Sequence, residues 1–362
     1  MSPTYVDIHV LQDLPPSNIN RDENGTPKHA TYGGVERLRV SSQAWKRATR
    51  KHFQAHLDEG ELGVRTRRLR SLLAQLLVER GLSEADADAK ALMGMAALGL
   101  KAGKKENEGQ YLLFAGRAQL GQLADALVDA ADAKEVDAKG LLGSVHPLDV
   151  ALFGRMIADM TQLNVDAAAQ VAHAISTHPA QTQFDYFTAV DDLQEKDEMG
   201  AGMIGTVEFS SATVYRFATV GLEQLIENMG DADAANEGVG QFIRSFILSM
   251  PTGHQNSFAA RTRPGLVAVV VREDQPVNLV SAFETPVRGR TGGVMEESQR
   301  ALAAHFSSEL ERWGDTPRLT AASYTASGAG ETSLVEAFGQ SVPIAELVEQ
   351  VSRALREVRS DA

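Results

Sequence analysis

Arg37-Leu-Arg-Val-Ser-Ser-Gln-Ala-Trp-Lys-Arg-Ala-Thr-Arg-Lys51 changes period part-way along. Leu38 to Val40 reads as short and extended. Ser41 or Ser42 then stands where a helix N-cap belongs, its oxygen free to accept from an orphan backbone N–H. Beyond it the spacing predicts a helix to about His56, with Trp45, Ala48 and His52 on one stripe and Lys46 and Arg50 four apart on another. An apolar stripe of that kind packs on a sheet. The passage therefore joins a strand to the helix that covers it.

Working outward, Tyr5 to Val10 alternates like a first strand, and Pro15 to Lys28 is a loop dense in turn formers. Residues 65 to about 140 carry leucines at helical spacing and read as an all-helical insertion. Strand-like text returns at Phe184–Val190 and Thr213–Val220, helices are expected at 221–229 and 237–249, and Leu266–Val271 is another strand. A helix at 295–313 and an amphipathic segment from Ile344 to Val358 complete the chain. With the insertion removed, the order is strand, helix, strands, helix, strand. That order fits a ferredoxin-like, RRM-type α+β layer, with a doubly wound parallel sheet as its rival.

The charge balance points to a polyanion. The chain of 362 residues carries a net charge of -13, yet residues 37–70 hold 10 Lys or Arg against 3 acids, a local balance of +7. An acidic surface repels polyanions, so one concentrated basic segment implies a positioned contact with phosphate. With no cysteine there is neither a disulfide framework nor a thiolate metal site. The N-terminus lacks the features of a signal peptide and no apolar run is long enough to span a bilayer, so a soluble cytoplasmic protein is expected.

Several motifs are set aside. Gly200-Ala-Gly-Met-Ile-Gly205 matches a dinucleotide fingerprint, but an acidic run precedes it and strand-like Thr206–Phe209 follows, so both required flanks are missing. It reads instead as a projecting hairpin with Met203 and Ile204 exposed at the tip, a wedge between bases or a contact with a partner. His173 and His178 are spaced poorly for two ligands on one helix face, and neither a metal site nor a catalytic set is expected.

Asn20-Arg21-Asp22, Tyr32-Gly-Gly34, Arg39-Val-Ser-Ser-Gln43 with Lys46-Arg47, Ala172-His-Ala-Ile-Ser-Thr-His178, Phe187-Thr-Ala-Val-Asp-Asp-Leu-Gln194 and Glu208-Phe-Ser-Ser211 together resemble CasC. That family is the backbone subunit of the type I-E CRISPR Cascade surveillance complex. The resemblance runs from the first strand to about residue 285, in matching order and spacing.

The resemblance implies a hand-like subunit: an RRM-like palm (1–60 and 181–362), a mainly helical fingers insertion (61–180) and a thumb hairpin at about 191–211. It implies a non-catalytic protein without cofactor that coats CRISPR RNA in several copies, head to tail, beside other Cascade subunits. The thumb of one copy displaces a base held by its neighbour, so that the segments between can pair with target DNA. Gln43, Lys46 and Arg50 would face the RNA backbone, with Ser41 and Ser42 beside them and Asn20, Arg21 and Lys28 lining the same groove. Met203 and Ile204 would form the thumb wedge. Ala169 falls where a relative has an intercalating methionine. The polar turn Pro251–Asn256, with His254, Gln255 and Asn256, could also approach the RNA. Two alternatives stay open: a metal-dependent RNA endonuclease using the loop acid Asp22, and a general single-strand binder.

Overall fold

In the computed structural model, which describes residues 3–100, 110–158, 160–189, 203–289, 293–326 and 329–360, the chain opens with the long strand β1 (Tyr5–Ser17). The hairpin of β2 (His29–Tyr32) and β3 (Val35–Val40) follows. Gly33 and Gly34 make its two-residue turn with φ of 59° and 75°, the left-handed pair that a tight hairpin requires. A Cβ on Gly33 would lie 1.7 Å from the Glu284 carbonyl oxygen, so that turn also admits no side chain. Helix α1 (Ser42–His56) comes next.

Beyond α1 lie β4 (Gly63–Thr66), α2 (Leu69–Glu79), α3 (Glu84–Leu98), β5 (Leu113–Gly116), α4 (Arg117–Asp129), α5 (Ala138–Gly143) and α6 (Leu148–Phe153). The strands β6 (Ala169–Val171), β7 (Ala174–Ser176), β8 (Gln183–Ala189) and β9 (Met203–Gly221) follow. Then come α7 (Leu222–Met229), α8 (Ala232–Leu248), the single turn α9 (Gln255–Phe258) and β10 (Leu266–Arg272). The last elements are α10 (Gly293–Trp313), β11 (Leu319–Tyr324), α11 (Ala329–Phe338) and α12 (Ile344–Ser360). No helix among the described residues is long and apolar enough to cross a membrane.

Two compact units divide this chain. The first comprises Met1–Thr49, Val171–Thr219 and Phe242–Ala362, and the second Arg50–Gln170 and Val220–Gln241. The first holds the main sheet, in the order β11-β10-β1-β9-β7-β3-β2. The pairs β1–β10, β10–β11, β2–β3, β3–β7, β7–β9 and β8–β9 are all antiparallel. Its centre, β10-β1-β9-β7 with α1 after the first strand and α8 after the third, is a split βαβ of ferredoxin type on an α+β scaffold.

Alternation along β9 sorts the two faces. Tyr215 and Phe217 join Leu11, Leu266 and Val270 under Phe283, Leu302, Phe306 and Phe338. On the opposite face Arg216 is buried, its guanidinium 3.7 Å from the centre of the Trp45 ring of α1 and 4.5 Å from that of Phe246 of α8. It donates to Gln12 Oε1 and the Phe246 carbonyl, and burial pushes it down to about 9.

Strand β1 buries two more ionisable groups. Asp7 accepts from the Val277 N–H at 2.8 Å, and burial pushes its carboxyl up to about 7. His9 Nδ1 lies 2.8 Å from the Tyr215 hydroxyl, which itself accepts from the Leu279 N–H at 3.1 Å. Burial lowers the His9 ring to about 3.

The second unit packs α2, α3, α4 and α5 around Leu73, Leu77, Ala91, Leu123, Leu127 and Leu142. Ser83 caps α3 by accepting from the Asp86 N–H at 3.2 Å. The expectation of an all-helical insertion needs correction, since β4 and β5 form a two-stranded sheet. Four-residue strands are too short for alternation to declare them. The boundaries also differ from 61–180, because 220–241 belongs to this unit. Asn228 on α7 holds that return by donating to the Ala151 and Asp166 carbonyls at 2.9 and 2.8 Å.

Candidate nucleic-acid interface

The loop between β1 and β2 is fixed by its own polar side chains. Buried Asn18 donates to the Gly25 carbonyl at 2.7 Å and to the Glu208 carbonyl on β9 at 3.0 Å. Asn20 Oδ1 accepts from the Ser41 N–H at 2.7 Å, while its carbonyl accepts from the Lys28 N–H at 3.0 Å. Asp22 turns one oxygen inward, accepting from the Asn24 and Thr26 N–H groups at 2.9 and 3.1 Å. Arg21 stays exposed and Lys28 half-buried.

Ser41, rather than Ser42, caps α1. Its hydroxyl accepts from the Ala44 N–H at 3.3 Å and its side chain is buried. Ser42 and Lys46 are half-buried, and Gln43 and Arg47 exposed. The Ser41–Asn20 bond joins the start of this helix to the loop that carries Lys28, so one junction brings together amides, a hydroxyl and cations. Such a set hydrogen-bonds and neutralises phosphate without reading sequence.

Arg50 and Ala169 are held by other parts of the protein, and Ser41 has a structural role at the helix start. Arg50 lies in the second unit, where Nε donates to Asp149 Oδ2 at 3.1 Å and the guanidinium covers the Phe114 ring at 4.2 Å. Asp149 is 2% exposed and also accepts from the Gly63 N–H at 2.7 Å. Burial pushes its carboxyl up, and the Arg50 charge pulls it back. The buried Ser41 hydroxyl accepts the cap bond from Ala44. Ala169 is 1% exposed, and its methyl meets protein rather than solvent.

The hairpin starts earlier than expected. Its arms are β8 and the first part of β9, paired from Gln183↔Phe209 to Ala189↔Met203. Met203 and Ile204 therefore stand on an arm, 59% and 60% exposed, not at the tip. The acidic run and the first residues of the glycine motif lie outside the described residues. Sequence reasoning missed the neighbours of this pair. Phe184, Tyr186 and Phe187 are exposed as well, and directly opposed residues of antiparallel strands share a face. Phe184, Tyr186 and Ile204 thus take one face, and Phe187 and Met203 the other. The adjacent aromatics Tyr186 and Phe187 were the available signal, because a half-buried strand does not point large rings both ways.

His173 and His178 serve the fold. Arg39 lies 3.2 Å from His173 Nδ1, whose ring is lowered by burial and then by the charges of Arg39 and Lys28. His178 Nε2 accepts from the Thr213 N–H at 3.1 Å, and Nδ1 bonds the Pro179 carbonyl. No group of three metal-ligating side chains occurs among the described residues. His254 and Asn256 flank and enter α9, where His254 meets the Phe258 ring edge-on and Gln255 and Asn256 are exposed.

The model of the CT1975-like protein family matches residues 6–350. The chain belongs to the CT1975-like family. This CT1975-like chain is similar over 97% of its length to the whole of a chain from a "CRISPR RNA-guided surveillance complex, pre-nicking", with 36% identity and a TM-score of 0.87. It is similar at 30% identity and a TM-score of 0.75 to a chain of another "CRISPR RNA-guided surveillance complex", covering 97% of itself and 99% of that chain. No curated protein matches it.

Proposed function

We propose that the chain is a non-catalytic backbone subunit of a CRISPR surveillance complex of the type I-E Cascade kind, binding guide RNA in the cytoplasm. The observation that carries this reading is the likeness, at 36% identity, to an entire chain of an RNA-guided surveillance complex. The junction of Asn20, Arg21, Lys28, Ser42, Gln43, Lys46 and Arg47 supports it, since those groups suit the backbone of a guide whose spacer sequence varies. Copies follow one another head to tail along the RNA, an open heterologous arrangement that other Cascade subunits cap. The β8–β9 hairpin of one copy displaces a base held by its neighbour, with exposed apolar groups on both faces offsetting the lost stacking. The segments left between pair with target DNA.

The endonuclease alternative would place a metal at Asp22, but one oxygen of that carboxylate closes its own loop. Native purification from cells carrying a repeat–spacer array tests the proposal. Co-purifying RNA of one discrete length is expected, whereas an assembly free of RNA would overturn it. Cleavage of target RNA with Mg²⁺ that is lost in Asp22→Ala would instead favour the nuclease.

A further inference from the structure

The loop between α8 and β10 borders an open cavity of about 430 Å³ within the first unit. That volume is in the range of small-ligand sites, roughly 300–1,000 Å³. Ile19, Met250 and Ala260 form an apolar floor, each less than a tenth exposed. Gln255, Asn256 and Arg261 stand exposed at the rim. No acidic side chain lines the cavity, in a chain whose net charge is -13.

The loop is built to hold this shape. A Cβ on Gly253 would come within 2.6 Å of the Asn18 and Ile19 carbonyl oxygens, so backbone packs directly on backbone there. At the other end Thr262 donates to the Asp13 carbonyl and accepts from Gln12 Nε2 at 3.2 Å. Between these anchors His254 and Ala259 take φ of 46° and 47°, left-handed values that non-glycine residues adopt only where their surroundings enforce them. Ile19 lies between Asn18 and Asn20, so the cavity floor continues into the loop of the candidate interface.

We propose that this cavity receives one unstacked nucleobase of a single-stranded RNA, with Arg261 on the adjoining phosphate. The inference rests on the guide-binding reading above and adds a pocket for a base to that reading's backbone contacts and hairpin wedge. The apolar floor takes the flat face of the ring. Each amide at the rim carries both a donor and an acceptor, and rotation of the amide lets it pair with the polar edge of any of the four bases. A paired base in a duplex cannot enter, because its edge is already bonded. Capture is therefore selective for single strands and indifferent to sequence.

The full-length chain is titrated with a short oligouridylate and with the same sugar–phosphate strand lacking its bases. Tighter binding of the oligouridylate is expected, by roughly tenfold, the worth of one or two hydrogen bonds in a sheltered site. Gln255→Ala with Asn256→Ala, and separately Thr252→Trp in the cavity lining, should bring the two affinities within about twofold by weakening the oligouridylate more than the baseless strand. A preference that survives in both variants would locate base capture elsewhere and overturn the proposal. Equal binding of both strands by the unsubstituted chain would also overturn it, leaving RNA binding itself standing. Failure to bind either strand would remove both readings.

Discussion

The two halves of α1 both carry adjacent cations and meet different fates. The first half, Ser42 to Thr49, belongs to the sheet unit and holds to it through Trp45, whose ring covers the buried Arg216 guanidinium. Its side chains Gln43 and Arg47 remain exposed, in the first and second turns beyond the Ser41 that bonds Asn20. The second half, from Arg50, belongs to the helical unit, and its first cation is taken by Asp149 and Phe114. Adjacent turns of one helix thus use the same residue type for opposite purposes. A cation is available to a ligand only where no buried acid has claimed it, and the claimant here is 99 positions away in the chain.

The largest effect that would test this contrast is on stability. Arg50→Ala leaves the Asp149 carboxylate buried without its cation and should destabilise the chain by about 3 kcal/mol in urea denaturation. RNA affinity per folded molecule should not change. A variant as stable as the unsubstituted chain but weaker in RNA binding would reverse the roles assigned to the two halves.

A second measurement asks whether the sheet under the first half carries its own charge burden. The Asp7 value of about 7 lies above the ordinary 3.8, so the native chain keeps a proton that the unfolded chain has released. That contribution is complete below pH 4 and disappears as pH rises through about 7. His9 acts oppositely: its folded value of about 3 against 6.5 gives stability that is present above 6.5 and lost as pH falls toward 3. Between about pH 4 and 6.5 the two nearly cancel in proton uptake; above that range Asp7 dominates. Asp7→Asn keeps an acceptor for the Val277 N–H, and its stability gain should be about 3 kcal/mol larger at pH 8 than at pH 5. Equal gains at both values would show that the carboxyl titrates normally.

How far the fold was legible follows from period and length. The strand, cap and helix of 38–56, the buried strand at 266–272 and the helices near 222–229 and 293–313 all carry runs long enough for their period to show. Strands β4 and β5 do not, and neither does the return of 220–241 to the helical unit, which depends on hydrogen bonds from Asn228 to distant carbonyls. The basic character of 37–70 was plain, but its partition was not. Arg37 is buried on the Ser176 and Phe283 carbonyls, Arg50 is paired with Asp149 and Arg70 with Asp88. Composition counts those cations together with exposed Arg47. Only the positions of their acceptors separate them.

The cap offers a smaller test on the first half alone. Ser41→Ala removes the acceptor for the Ala44 N–H and should cost about 1 kcal/mol. The neighbouring bond runs from the Ser41 backbone N–H to the Asn20 side chain and would persist. A cost near zero would mean that water caps the helix as well as the hydroxyl does.

The smallest effect is the most direct comparison of the halves. Binding of single-stranded RNA releases counterions in proportion to the phosphates contacted, so the slope of log affinity against log salt counts cations in use. Arg47→Ala should flatten that slope by about 0.7, one phosphate contact on a single strand. Arg50→Ala, measured where it is still folded, should leave the slope unchanged, because its charge already belongs to Asp149. The pair of slopes is informative because both substitutions remove the same formal charge from the same helix. A long-range field effect would lower both slopes together; only direct contact separates them.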